Sequence, residues 1–235
     1  IIYISLILNK GTIIMKKIIA TIVALIFTTS AYAIELSSLS IGASMNHGLY
    51  GGDGKEENTD SSGTLERTTK KDGAFFVDTY ATLFVELAFT DVVSLGVSYA
   101  PDGVSTPTNI NDHEGEANGA GAVDITVKAD FNDLTTLYLL AKSPIGIYGK
   151  VGFSQMDIDV QSTNAGTYAD PGTTDGMELA LGYEYEAADG VSVRAELAYH
   201  EFEDLTANNG QTDKNTITVS NLRGGTGRIS LVKSF

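Results

Sequence analysis

The chain has 235 residues, 43% of them hydrophobic, with 30 acidic residues, 15 basic residues and no cysteine. No disulfide can staple it, and the acidic balance excludes the basic patches that bind nucleic-acid phosphates or anionic membrane surfaces. The length fits a single domain.

Residues 15–33, MKKIIATIVALIFTTSAYA, place two lysines, an apolar run from Ile18 to Phe27 and an A-x-A ending in the order of a secretory signal peptide. The run is shorter than the roughly 20 apolar residues of a spanning helix, so cleavage is expected after Ala33. Residues 1–14, IIYISLILNKGTII, precede that Met and are read as upstream read-through. Residues 34–235 are then one β-barrel domain. Removing the three lysines of residues 1–33 leaves 12 basic against 30 acidic residues, a net charge of −18.

From residue 35 onward apolar residues recur at every second position, the period of a strand. Eight segments follow, over roughly 35–49, 74–89, 92–101, 123–143, 147–160, 176–187, 191–204 and 217–235. In the second, AFFVDTYATLFVELAF, Phe75, Val77, Ala81, Leu83, Val85, Leu87 and Phe89 share one face, and Asp78, Tyr80, Thr82 and Glu86 the other. The sixth sets Met177, Leu179, Leu181, Tyr183 and Tyr185 against Glu178, Gly182, Glu184 and Glu186. The seventh sets Val191, Val193, Ala195, Leu197 and Tyr199 against Arg194, Glu196 and His200. The fourth is less regular, and Asn132-Asp133 reads either as strand or as a turn that adds a ninth strand. In the fifth the apolar parity flips between Phe153 and Met156, which points to a bulge.

Connections alternate in length. Thr90-Asp91, Pro144-Ile145-Gly146 and Ala188-Asp189-Gly190 are short; the others are long and polar. One of these, GKEENTDSSGTLERTTKKD, mixes charge signs and reads as a flexible loop. On the apolar face Phe75, Tyr99 and Tyr199 fall near the long-loop rim, and Phe89, Tyr183, Tyr185 and Phe235 near the short-turn rim. Two aromatic girdles around an aliphatic band describe a lipid-facing wall, with the polar face lining a lumen. The expected fold is all-β: an eight-stranded antiparallel up-and-down transmembrane barrel with short periplasmic turns and long extracellular loops.

With these features the chain resembles the small bacterial outer-membrane β-barrel proteins, the group of OmpX, the OmpA transmembrane domain and the opacity proteins. The resemblance covers residues 15–235 and implies localisation in the outer membrane of a Gram-negative bacterium. It also implies that the final strand is an assembly signal for the barrel-insertion machinery. Ile229, Leu231 and Phe235 match its alternating apolar positions, and Lys233 departs from them. The implied role is structural or surface-interacting, with neither enzymatic activity nor cofactor.

Lumen ion-pair candidates are Glu184, Arg194, Lys150, Glu178 and His200. A three-residue turn at 188–190 pairs 187 with 191, which sets Glu184 opposite Arg194 and Glu178 opposite His200. Lys150 sits at the depth of Glu184 and is expected to join that pair, plugging the lower lumen. Against this stand small inward residues, Ser38, Ser40, Gly42, Ser44, Ser94, Gly96, Ser98, Gly152 and Gly182, which favour a narrow channel for ions or small solutes. A soluble lipocalin-like barrel would put the apolar face inside instead. His47, His113 and His200 raise a catalytic reading, but no serine motif accompanies them. GGDGKEE, NDHEGE and YADPGTTD lack calcium-loop spacing, and the acidic loops leave a surface receptor or a divalent cation open as partners. GGTG at 224–227 lacks the Lys-Ser/Thr of a phosphate loop.

Overall fold

The computed structural model describes residues 38–60, 62–101, 104–106, 109–113, 123–163, 171–208 and 215–235, and the leader and read-through readings lie outside them. The strands are β1 (Ser38–Thr59), β2 (Leu65–Ala88), β3 (Val93–Ala100), β4 (Val104–Ser105), β5 (Asn109–His113) and β6 (Val123–Lys142). They continue as β7 (Ile147–Thr163), β8 (Gly172–Ala188), β9 (Val191–Phe202), β10 (Leu205–Asn208) and β11 (Asn215–Ser234). Eight of them close an antiparallel ring in the order β1-β2-β3-β6-β7-β8-β9-β11, with β11 pairing back to β1 from Ser40↔Ser234 to Asn58↔Asn215. Closure satisfies the backbone groups that lipid would leave unpaired.

The short connections behave as turns. Thr90 Oγ1 accepts from the Val93 amide at 2.9 Å, and the Gly146 amide donates to Ser143 O at 3.0 Å, with Gly146 at φ 89°. At the β8–β9 turn one detail differs from the reading above. Ala188 pairs with Val191 across Asp189-Gly190, and an extra residue at Ala187 is taken up as a bulge. Gly190, at φ 64°, supplies the left-handed position, and the bulge restores the register, so Glu184↔Arg194 and Glu178↔His200 still face each other.

The stretch read as a flexible loop is a hairpin. β1 and β2 stay paired beyond the girdle to Thr59↔Leu65, and β1 pairs with β11 on its other side. Two ladders order the backbone that mixed charge alone would leave loose. Asp60 Oδ1 closes the tip by accepting from the Ser62 and Thr64 amides at 2.9 and 2.8 Å.

Three bulges interrupt the upper wall. Extra residues fall at Gly73 on β2, Asp133 on β6 and Asn221 on β11, at φ 66°, 53° and 54°. Asn132-Asp133 is therefore a bulge in a continuous β6, and the ninth-strand reading does not hold. The bulge expected on β7 is absent. Tyr148, Lys150, Gly152, Ser154, Met156 and Ile158 are all buried at even positions, and the β7–β8 register is unbroken. Met156 and Ile158 looked displaced because the lumen changes from polar to apolar at their level. Asp53 ties two bulges together: Oδ1 accepts from the Gly73 amide at 2.8 Å and Oδ2 from Asn221 Nδ2 at 2.8 Å. These bonds, Gly73's first, hold the Asp53 carboxyl below the usual carboxylate range.

Candidate functional site in the barrel lumen

Alternation along each strand decides what enters the lumen. Below the bulges, even positions of β1, β2, β8, β9 and β11 turn inward, and odd positions such as Leu83, Leu181 and Leu197 stand exposed on the outer wall. A lipocalin-like inside-out arrangement is thereby ruled out for the wall. The girdle residues Phe75, Tyr99, Tyr199, Phe89, Tyr183, Tyr185 and Phe235 are all outward, from 39% exposed at Tyr99 to 75% at Phe75.

The inward carboxylates and cations meet in two linked groups. In the lower one, Arg194 Nη1 and Nη2 grip Glu86 Oε1 and Oε2 at 2.6 and 2.7 Å. Its Nε lies 2.5 Å from Glu184 Oε2, and Lys142 Nζ meets Glu184 Oε1 at 2.8 Å. In the upper one, Arg228 reaches Glu196 at 2.5 Å and Glu178 at 3.1 Å, while Lys150 reaches Glu178 at 2.7 Å and Glu196 at 2.9 Å. Asn46 accepts from Arg228 Nε and donates to Thr82 Oγ1 at 2.6 Å. Four carboxylates thus face four cations. Burying an isolated ion costs several kcal/mol, and full pairing offsets that.

Lys150 does not join Glu184, as its depth had implied. Its partners are Glu178 on β8 and Glu196 on β9, and Lys142 takes the place beside Glu184. His200 is buried, with Nε2 3.0 Å from Thr226 Oγ1 and Nδ1 3.6 Å from Glu178 Oε2. His47 lies on the outer wall with Nδ1 2.8 Å from Thr79 Oγ1, and the side chain of His113 falls outside the described residues. Glu86, Arg228, Lys142 and Asn46 were not singled out. All of them share the inward parity of the residues that were.

Aromatic rings cover three of the small inward residues, Gly42, Gly96 and Gly182. Tyr138 lies over Gly96, where an added Cβ would stand 2.3 Å from its Cζ, and Tyr148 lies over Gly182 at the same distance. Their hydroxyls donate to Glu86 at 2.8 Å and Glu196 at 3.0 Å. The Arg194 guanidinium sits 5.5 Å from the ring centroids of both Phe84 and Tyr148. The space left within this layer is about 10 Å³, near the minimum for one water.

Above it the lumen turns apolar. Tyr50, Tyr80, Val104, Phe131, Met156, Ile158, Phe202 and Leu222 are buried together, with Tyr50 and Tyr80 hydroxyls 2.9 Å apart. Phe76 stacks between Tyr50 at 5.8 Å and Phe131 at 6.4 Å. The wholly polar lumen of the sequence reading therefore holds only for the lower part.

Of the loop motifs, GGDGKEE is part of β1, while much of NDHEGE and YADPGTTD falls outside the described residues. Among the described residues no group of three His, Asp or Glu is placed to hold a metal ion.

A ring of eight antiparallel strands, apolar outward and ionic within, has a counterpart among known families. The model of the outer membrane protein beta-barrel domain matches residues 19–221. The chain belongs to this family. It is accordingly a protein of the Gram-negative outer membrane, surrounded by lipid. The fold is similar to the outer membrane protein OprG from Pseudomonas aeruginosa, at 16% identity and TM-score 0.51, covering 83% of this chain and 95% of that one. It is also similar to AlkL, at 15% identity and TM-score 0.49 over 83% and 90% of the two chains. Neisserial surface protein A matches at 12% identity and TM-score 0.42 over 84% and 97%. No curated protein matches the chain.

Proposed function

We propose that this outer-membrane barrel is a non-conducting, non-enzymatic protein that acts at the cell surface through the strands it raises above the membrane. The observation that carries this reading is the layer of four paired carboxylates and four paired cations across the lumen, covered by Tyr138, Tyr148 and Phe84. An eight-stranded barrel is just wide enough for side chains to fill, and the mere 10 Å³ or so left within this layer supports the reading. The channel reading rested on small inward residues. Rings occupy the space at Gly42, Gly96 and Gly182, and Ser44 is spent on Ser230 at 2.9 Å. The resemblance assigns Ile229, Leu231 and Phe235 to the insertion machinery, and residues 15–33 to a leader removed on export.

Refolded protein in a planar bilayer should give no reproducible conductance steps. Steps that persist after removal of the outer hairpin would overturn the reading in favour of a narrow channel.

A further inference from the structure

Below the bulges, the lysines and arginines of the described wall turn into the lumen with two exceptions, Arg223 and Lys233, both on β11. Their spacing along that strand, at the rise and tilt of barrel strands, is about 25 Å along the membrane normal, the height of the apolar band. They therefore stand at its two edges. Arg223 lies opposite Glu201 in the β9 ladder, a carboxylate on its own face. Lys233 has only apolar neighbours in its ladders, Ile41 on β1 and Val191 on β9. A cation in hydrocarbon is costly, and long basic side chains bend to the interface to avoid it. Lys233 bends in this way: Nζ reaches the periplasmic turn, 3.2 Å from Asp189 O, with the Phe235 ring centroid 5.8 Å away.

That carbonyl takes one ammonium proton and leaves the other donors at the boundary of lipid and water. Val191 and Val193 form a low apolar shelf there, between Lys233 on β11 and Tyr185 on β8. Further out, at the turn itself, Glu186 and Asp189 are exposed. Glu186 Oε1 accepts from the Gly190 amide at 3.4 Å, and the Asp189 carboxylate makes no ion pair or hydrogen bond among the described residues. Charge is thus ordered from the membrane outward, cation first and carboxylates beyond it. A glycerophospholipid with an ammonium head group carries the complementary order, phosphate next to the glycerol and ammonium outside.

We propose that this rim docks a zwitterionic glycerophospholipid of the periplasmic leaflet, of the phosphatidylethanolamine class. Lys233 Nζ donates to the phosphate, the primary ammonium meets the Asp189 carboxylate, and the acyl chains run up the wall over the exposed Leu231 and Val193. A head group without an ammonium leaves the two carboxylates at the turn facing its negative charge, and so binds less well. Exposed charge pairs are weak, which sets the preference at about threefold. The site is independent of whether the lumen conducts, and its test reads lipid contact rather than conductance.

The sequence lacks tryptophan, so one introduced residue reports on its own surroundings. Ile41→Trp stands beside Lys233, and Leu139→Trp, on β6, stands across the ring. Val193→Trp replaces the first if that variant does not refold. Each is refolded into phosphatidylcholine vesicles containing a minor fraction of phosphatidylethanolamine, or of phosphatidylglycerol, with brominated acyl chains that quench tryptophan. Ile41→Trp should be quenched at about threefold lower content of phosphatidylethanolamine than of phosphatidylglycerol. Leu139→Trp should respond to the two lipids alike. Adding Lys233→Gln to Ile41→Trp should weaken quenching by both lipids to the level of Leu139→Trp. Adding Asp189→Asn with Glu186→Gln should keep the lipid contact and turn the preference toward phosphatidylglycerol. Parallel behaviour of the two reporters, or a preference that survives Lys233→Gln, would overturn the site. A phosphatidylglycerol preference with both carboxylates in place would overturn the zwitterionic assignment.

Discussion

Arg194 and Glu86, 108 residues apart, form a two-pronged pair across the lumen, with Nη1–Oε1 at 2.6 Å and Nη2–Oε2 at 2.7 Å. The register between β8 and β9 places Glu184 beside the same guanidinium, and the curvature of the ring brings Glu86 within reach from β2. Arg194→Met leaves Glu86 and Glu184 without their arginine. Breaking a buried pair from one side costs about 3–5 kcal/mol. Glu86→Gln should also destabilise, and the double variant should cost less than the sum of the two. Unfolding in urea, followed by the shift in gel mobility of the folded barrel, gives the cycle; strict additivity would remove the energetic role of the pair.

The outer wall makes the opposite demand. Leu83 is exposed to lipid and Thr82, one step along β2, is buried beside Asn46. Leu83→Arg should destabilise the barrel by roughly 2–4 kcal/mol in vesicles if the side chain lies near the midplane. In detergent, where thickness adapts, the penalty should shrink. Thr82→Arg should damage the protein equally in both media, because it adds a cation to a charge-balanced lumen. Equal and harmless behaviour of the two variants in vesicles would contradict the assignment of faces.

Faces were legible in the sequence because lipid favours alternation: a polar residue on the outer wall meets no water, and His47 there turns to Thr79 instead. The facing of Glu184 and Arg194 followed from parity and a turn length. What crosses the lumen was not legible. Glu86 and Arg194 share no strand neighbour, and only the barrel radius decides that a glutamate on β2 reaches an arginine on β9. The upper lumen was hidden for another reason. Met156 and Ile158 turn inward like Lys150, but the lumen at their height is apolar, so an unbroken alternation looked like a slip. Of the three parity-reversing bulges, only Gly73 carries a residue suited to positive φ at no cost. Asp133 and Asn221 belong to types that merely tolerate it.

Asp53 should make the outer sheets sensitive to acid. Its carboxylate accepts from the Gly73 amide and from Asn221, and its pKa lies below the usual value near 3.9. A depressed folded pKa contributes stability above the unfolded value, and that contribution is lost as pH falls through the folded one. Amide exchange in residues 53–58 and 215–220 should therefore quicken below about pH 4. Asp53→Asn should show the quicker exchange at neutral pH and lose the pH dependence. An unchanged profile in that variant would assign the dependence to another carboxyl.

Phe235 separates assembly from stability. Its amide donates to Leu39 O at 2.9 Å, and its ring is exposed on the outer wall with Lys233 Nζ 5.8 Å from the centroid. Ile229 and Leu231 line the same face of β11, and Lys233 interrupts the series while donating to Asp189 O at 3.2 Å. Deleting Phe235 removes one backbone hydrogen bond, a net loss of about 0.5–1.5 kcal/mol. The ladder from Ser40↔Ser234 upward is untouched. Refolding of the purified variant into vesicles should therefore be nearly normal. If the insertion machinery reads the terminal aromatic, the amount of folded barrel in the outer membrane of living cells should fall several-fold, with unfolded chain accumulating in the periplasm. Lys233→Tyr, which completes the alternation, should raise assembly or leave it unchanged. Normal membrane levels of the deletion variant would refute the signal, and a matching defect in purified refolding would make Phe235 a stability residue instead.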